Sequence, residues 1–369
     1  MLNKPGAENP PSDDEAGFDA RRVGVNLVRL PVHNGNERLY LRRLLDTMRR
    51  LQPELQFILF TDAASHDLFT DWTRVPVQMD DKKGWLGLSG KASPWDRLPE
   101  DHNLDRLFTP LETAPQKCSV PVIAYALDLS ILANGTVQTE RPAPQLKDLR
   151  KIAQQITALV TPSEFSRRAF LERLGLTVEK IFVAPVGVDK GLDTDQPPTV
   201  AEPYMIIMGG TAETSNLLQL FQAFERMREE LPRVLVALSG FSETDFGEWN
   251  RQVLRIDELP LQQRAALYQH SEFAICPSVC DGAGMAMLEA MQAGARVVAA
   301  RAGGLPEVGG DVPFFFDPES VTGIISAVRR AIEEGPGARE SRVRNGRRRA
   351  SEYTWEKCAW KTLQVLGRQ

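Results

Sequence analysis

The sequence predicts an α/β chain of two domains, each a parallel sheet covered by helices. Three observations carry this. Short runs rich in Val, Ile and Leu alternate with stretches whose apolar residues recur at helical spacing, the pattern of β-α-β units. The alternation stops at a polar, Pro-rich segment, "KGLDTDQPPTVAEP" from Lys190, and then begins again. The length, 369 residues, is enough for two cores of ordinary size. The expected domains are residues 21–190 and 191–350, after a polar, acidic, Pro-rich leader over 1–20 that reads as disordered.

The elements follow in order. "RVGVNLVRL" (Arg22 to Leu30) reads as a first strand, broken by the Pro, Asn and Gly of "PVHNGNER". "LYLRRLLDTMRRL" is an amphipathic helix with Arg between its apolar positions, and "QFILFTD" (Gln56 to Asp62) is a buried strand. From Asp80 to Glu112 the chain reads as an irregular loop holding Trp85 and Trp95. A strand at Val120 to Leu129 comes next, then a helix in "LKDLRKIAQQI". "ALVTPSEFSRRAFLERLGL" is strand, turn and helix, with Ser163 as the expected N-cap, and "KIFVAPVGVD" closes the first domain. After the linker, strands are expected in "YMIIMGG", "RVLVALSG", "EFAICPS" and "ARVVAARAGG", with helices between them and an amphipathic helix in the tail.

Composition excludes several classes. A net charge of −5 gives no global field for nucleic acid, and no apolar run reaches the length of a membrane span. The N-terminus lacks the apolar segment of a signal peptide, so a cytoplasmic location is expected. Four cysteines lack zinc-site spacing and four histidines are scattered, so a metal centre built on them is not expected, and the chain is expected to work without a cofactor.

In open α/β sheets, ligands bind beyond the carboxyl ends of the strands. The most informative loop there is "CDGAGMAMLEAM", Cys280 to Met291. Gly282 and Gly284 remove side chains where backbone must approach something closely, and a helix is expected to begin near Met285. Its unpaired N–H groups and positive dipole end suit a phosphate. Glu289, a turn or so into the helix, suits sugar hydroxyls, and Asp281 on the strand-side lip suits those of a second group. An anion flanked by two polyols has the shape of a nucleotide sugar. "GAGMAM" lacks the third glycine of a dinucleotide fingerprint, which argues against hydride transfer.

The segment Pro277 to Asp311, "PSVCDGAGMAMLEAMQAGARVVAARAGGLPEVGGD", resembles the signature of retaining glycosyltransferases of family 4, which have the GT-B fold. That signature is an acid, seven residues, then Glu, followed by a G-G-x-x-E turn. "TPSEFSRRAFLERLGLTVEKIFVAPVGVD" and "ASEYTWEKCAWKTLQVL" are similar to two further segments of the family. The resemblance implies two Rossmann-like domains facing a cleft, an acceptor-side domain first and a donor-binding one second. A C-terminal helix over 351–369 would cross back to the first domain. It implies that Glu289 holds the donor's ribose and Asp281 faces the donor sugar. Gly284, Met285 and Ala286 would cradle sugar and phosphate through their backbone. Gly35 would close over the phosphate, and Ile256 to Leu259, with Glu258, would contact the base. Gly210 and Asn216, in the loop "GGTAETSN", complete the donor-binding set. Leu127-Asp128-Leu129 stands where the family has His-Asp-Leu, so Asp128 and Asp281 are the catalytic candidates. The implied reaction is front-face transfer of a sugar to an acceptor hydroxyl, without a metal.

This chain departs from the family in four places. Asp281 replaces Glu, Ala283 replaces an aromatic, Leu127 replaces the His, and Thr214 and Ser215 stand where Arg and Lys clamp the diphosphate. Arg167, Arg168, Lys180 and Lys190 are the candidates to replace that clamp. A catalytically silent GT-B partner protein and a GT-B epimerase or hydrolase remain open beside the transferase. The arginines from Arg339 to Arg349 read as a solvated face, or as a contact for an anionic membrane surface at which the protein would be peripheral. Trp85, Trp95 and His33 read either as acceptor contacts or as local anchors.

Overall fold

The computed structural model describes residues 20–30, 35–78, 93–132, 145–200, 203–209, 214–232, 234–238, 241, 243–256 and 259–368. Among these residues two sheets, both parallel, organise the fold. The first has seven strands in the order β3-β2-β1-β4-β5-β6-β7. These are β1 Arg22–Asn26, β2 Gln56–Thr61, β3 Arg74–Pro76, β4 Arg106–Pro110, β5 Val122–Tyr125, β6 Ala158–Thr161 and β7 Ile181–Val183. The second has six, in the order β10-β9-β8-β11-β12-β13. They are β8 Tyr204–Met208, β9 Val234–Leu238, β10 Val253–Ile256, β11 Ala274–Cys276, β12 Val297–Ala300 and β13 Phe314–Phe316.

The α-helices of the first domain are α1 Gly35–Leu51, α2 Leu98–Asp101, α3 Leu146–Gln155 and α4 Glu164–Leu174. Those of the second are α5 Leu217–Arg226, α6 Leu261–His270, α7 Met285–Ala293, α8 Leu305–Gly309, α9 Val321–Ile332 and α10 Pro336–Ser351, and α11 Trp355–Leu366 follows. All four residues of β5, β6 and β12 and all five of β8 are buried. Strands covered on both faces by crossover helices read as continuous apolar runs rather than as alternations.

In both sheets the strand order reverses beside the first strand, between β1 and β4 and between β8 and β11. A crevice opens at such a switch point. Ser163 caps α4 by accepting from the Ser166 N–H at 3.1 Å, as the sequence leads one to expect. The C-terminal helix crosses back: α11 packs on α1, with Arg50 paired to Glu356 at 2.9 Å. Trp355 fixes this return, because its indole donates to Asp189 at 3.0 Å and its ring lies where a side chain on Gly187 would stand.

The stretch expected as an irregular loop contains β4, a central strand between β1 and β5. Its five residues, "RLFTP", carry too short a pattern to be told from loop sequence, and pairing on both sides makes the strand. Trp95 is buried in the same region, edge-on to Phe60 at 5.5 Å. Of its two readings the local anchor holds, because a ring closed into the core cannot stack on an acceptor. Trp85 and His33 lie outside the described residues.

The arginine run belongs to α10 and much of it turns inward. Arg342 pairs with Glu334 at 2.7 Å and lies over the Phe314 ring, and Arg347 meets Asp193 at 2.9 Å. Arg349 donates to the Val308 carbonyl at 2.9 Å and to the Tyr353 hydroxyl. No described helix is long and apolar enough to cross a membrane.

Candidate functional site in the interdomain cleft

The loop between β11 and α7 is shaped by Asp281. Its Oδ1 accepts the N–H groups of Ala283 and Gly284 at 2.8 and 2.7 Å, which turns the chain sharply into the helix. Gly284 is left-handed (φ 64°), and a Cβ there would lie 3.0 Å from Val308. Gly282 serves a different end from the ligand approach that its spacing implies. A Cβ at 282 would come within 2.5 Å of Ser166 Oγ and 2.8 Å of the Leu127 carbonyl, both in the first domain. This glycine lets the two domains touch.

Two further contacts reinforce that junction. Asp128 and Asp281 form an antiparallel bridge across the cleft, and the Leu129 N–H donates to the Cys280 carbonyl at 3.1 Å. On α8, the Glu307 carboxylate accepts the N–H groups of Glu164 and Phe165 at 2.9 and 3.0 Å. It thus caps the positive end of α4 from the opposite domain.

The bridge brings the two catalytic candidates side by side. Asp128 remains partly open to solvent, and its carboxylate accepts the Ser130 N–H at 2.7 Å. Protein packed around the rest of it removes water, and this raises its pKa to about 6, with the Asp281 and Glu112 charges adding to the rise. Burial also raises the Asp281 carboxyl, against the two N–H groups it accepts. Asp128 therefore changes protonation close to neutrality, where a general acid or base works best.

Beside this junction lies a cavity of about 330 Å3. One wall is α1, through Asn36, Arg38, Leu39 and Arg42. The other is the carboxyl edge of the second sheet, through Met208, Gly209, Leu238 and Ile256, with Arg264 and Tyr268 of α6 and Ala286 and Glu289 of α7. Glu289 accepts from Arg264 Nε at 2.7 Å, and the two side chains are only 13% and 24% exposed. Burial raises the Glu289 carboxyl, and the Arg264 charge and hydrogen bond pull it back. Arg42 is committed elsewhere, to both oxygens of Asp71 at 2.6 and 2.8 Å and to Asp46 at 2.9 Å. A small apolar pocket next to Glu289 is lined by Met285, Asp189 and Trp355.

Of the expected donor-binding residues, Ile256, Ala286 and Glu289 line the cavity, Met285 lines the adjoining pocket, and Gly35 begins the α1 wall. Gly284 stands at the start of α7 with its N–H taken by Asp281. Asn216 is left-handed at the start of α5 and gives its amide to the Pro318 carbonyl at 2.7 Å, away from the cavity lining. Gly210 and Glu258 lie outside the described residues. Thr214 and Ser215 are buried, and Ser215 donates to the Gly209 carbonyl at 3.3 Å. None of the four expected replacements for the clamp lines the cavity. Lys180 donates to the Gln154 and Ile156 carbonyls, and Arg167 pairs with Glu164 at 3.2 Å. The cations that do line it, Arg38, Arg42 and Arg264, are ones the sequence reading passed over. For the first two the signal was present: Arg38 and Arg42 are four apart, so they share one face of α1.

Residues 193–349 match the family described as glycosyl transferases group 1. An MMP alpha-(1->4)-mannosyltransferase of Mycolicibacterium hassiacum is 28% identical over 227 residues, which is 58% of this chain and 55% of that protein. An O-antigen chain mannosyltransferase B of Escherichia coli is 22% identical, over 59% of this chain and 62% of that one. The chain thus spans little more than half the length of the curated relatives it matches. Among solved structures, the Anabaena protein HepE in complex with UDP and glucose superposes with a TM-score of 0.71 at 16% identity. That alignment covers 95% of this chain and all 100% of HepE. Sucrose-phosphate synthase of Thermosynechococcus elongatus gives 0.72 at 15%, over 94% and 98% of the two chains. The fold is GT-B, as the sequence resemblance implies.

Proposed function

We propose that the chain is a retaining glycosyltransferase that moves a hexose from a nucleotide-diphosphate sugar to an acceptor hydroxyl. The observation that carries this is the cleft cavity, which has a carboxylate, Glu289, on one wall and opens beside the start of α7. An apolar slot of Leu238, Ile256 and Leu259 suits a flat base, Glu289 suits ribose hydroxyls, and the α7 N-terminus suits the diphosphate. The donor sugar would then reach the Asp128–Asp281 bridge. In the transfer, the bond from the anomeric carbon to the phosphate oxygen breaks and a bond to the acceptor oxygen forms on the same face. The acceptor proton goes to the leaving phosphate. The match over residues 193–349 and the relatives named as mannosyltransferases support a hexosyl donor. No metal is called for in this reading, in which the α7 helix dipole and Arg38 on the facing wall would lie toward the diphosphate.

One observation favours a second reading, a catalytically silent partner protein: buried Thr214 and Ser215 occupy the clamp positions. Titration with UDP-, GDP-, ADP- and dTDP-sugars, reading thermal shift and nucleotide release together, separates the two. Release in the presence of an acceptor mixture, lost in Glu289→Gln, is the expected result. Absence of any thermal shift would overturn the transferase and leave the silent partner.

A further inference from the structure

The cavity holds a feature that the family resemblance does not account for. Glu289 is not an isolated carboxylate waiting for hydroxyls. One of its oxygens is tied to Arg264, one turn before Tyr268 on the neighbouring helix, and both Arg264 and Glu289 line the cavity. Arg264 also reaches back to the Leu259 carbonyl at 3.4 Å, which pins it to the start of its own helix. The geometry points to Arg264 as a positioning residue: it holds Glu289 Oε1 so that Oε2 is presented to the hydroxyls of the donor's nucleoside end. This inference rests on the donor-binding reading above and deepens it, because Arg264 then controls the carboxylate's orientation and its charge.

The electrostatics around Glu289 explain why such a partner is needed. Tyr268, wholly buried on α6, stays a neutral phenol, since burial raises its pKa. Asp189 opposes the Glu289 charge from the interdomain connection, although Arg43 and the Trp355 indole hold it at 2.6 and 3.0 Å. On the α1 side, Arg38 and Arg42 share the cavity. Arg42 is spent on Asp46 and Asp71. Among the described residues, Arg264 is the cation in direct contact with Glu289. A buried carboxylate whose cation is removed takes up a proton more readily. A protonated Glu289 loses its charge-assisted grip on hydroxyl groups.

The test uses the full chain as wild type, Arg264→Met, Arg264→Lys and Glu289→Gln. UDP, GDP, ADP and dTDP are each titrated calorimetrically between pH 6 and 8.5. Circular dichroism checks folding, and the carboxyl carbon of 13C-glutamate, assigned by its loss in Glu289→Gln, reports the charge directly. In Arg264→Met, affinity is expected to be lower by about tenfold at pH 6. The gap should narrow as pH rises, because the carboxyl is raised and ionises late. Arg264→Lys should restore the wild-type pH profile, and the Glu289 carbon should titrate at higher pH in Arg264→Met. A loss of equal size at every pH, or no loss, would overturn the role of Arg264 and leave the donor site standing. Failure of the wild type to bind any of the four nucleotides would overturn the donor site and this inference with it.

Discussion

Gly282→Ala asks whether the two domains really meet at this glycine. The added methyl would stand 2.5 Å from Ser166 Oγ and 2.8 Å from the Leu127 oxygen, where ordinary contact begins at 3.4 Å. Neither neighbour yields easily. Ser166 is buried with its hydroxyl bonded to Ser163 at 2.9 Å, and the Leu127 oxygen belongs to the backbone. Relief requires the loops to part by about 0.6–0.9 Å, and overpacking of this kind costs ~1–3 kcal/mol. Both obstacles lie in the opposite domain, so the chain escapes the clash by opening the cleft rather than by unfolding. A cost of ~1–3 kcal/mol shifts a closed-to-open ratio by roughly 5- to 150-fold. Small-angle scattering should show a larger radius of gyration for Gly282→Ala, with unchanged far-ultraviolet circular dichroism. Gly337→Ala is the control, since it lies in α10 with open space around it. Identical scattering for wild type and Gly282→Ala would refute the reasoning.

Two more perturbations test the same junction. Asp128 has a folded-state pKa of about 6, above its unfolded value, so the folded chain loses stability as pH climbs from about 4 to about 6 and stays lower above that. Asp128→Asn should therefore melt at a higher temperature than wild type at pH 7 and at the same temperature below pH 4. Melting curves that run parallel across pH 4–8 would mean the carboxylate is not raised. Glu307→Gln keeps an acceptor for the α4 N-terminus but loses the charge. Because Glu307 is exposed, the expected cost is only ~0.3–1 kcal/mol. That difference in melting temperature should shrink in 1 M salt, where the Debye length is about 3 Å, and a salt-independent difference would rule out the charge–dipole contact.

What the residues specify locally was legible before any coordinates. Apolar runs such as "YMIIM" bury on both faces, so β8 and its parallel partners could be read, and Ser163 announced the α4 cap. Gly284 stood out because a tight strand–loop–helix turn calls for glycine, and Asp281 and Glu289 because two carboxylates flank that turn. The short strand β4 escaped, since five residues without a clear period become a strand only when β1 and β5 pair with them. The same limit governs the site. The approach of Gly282 to Leu127 spans more than 150 positions in sequence, and Glu307 reaches α4 over 143. No local pattern encodes such partners. The ion pair of Arg264 with Glu289 arises because α6 and α7 lie side by side against one sheet, and Arg38 and Arg42 enter the cavity because α1 faces that sheet across the cleft. Spacing along a helix shows which side chains share a face, and the packing of two domains settles what that face meets.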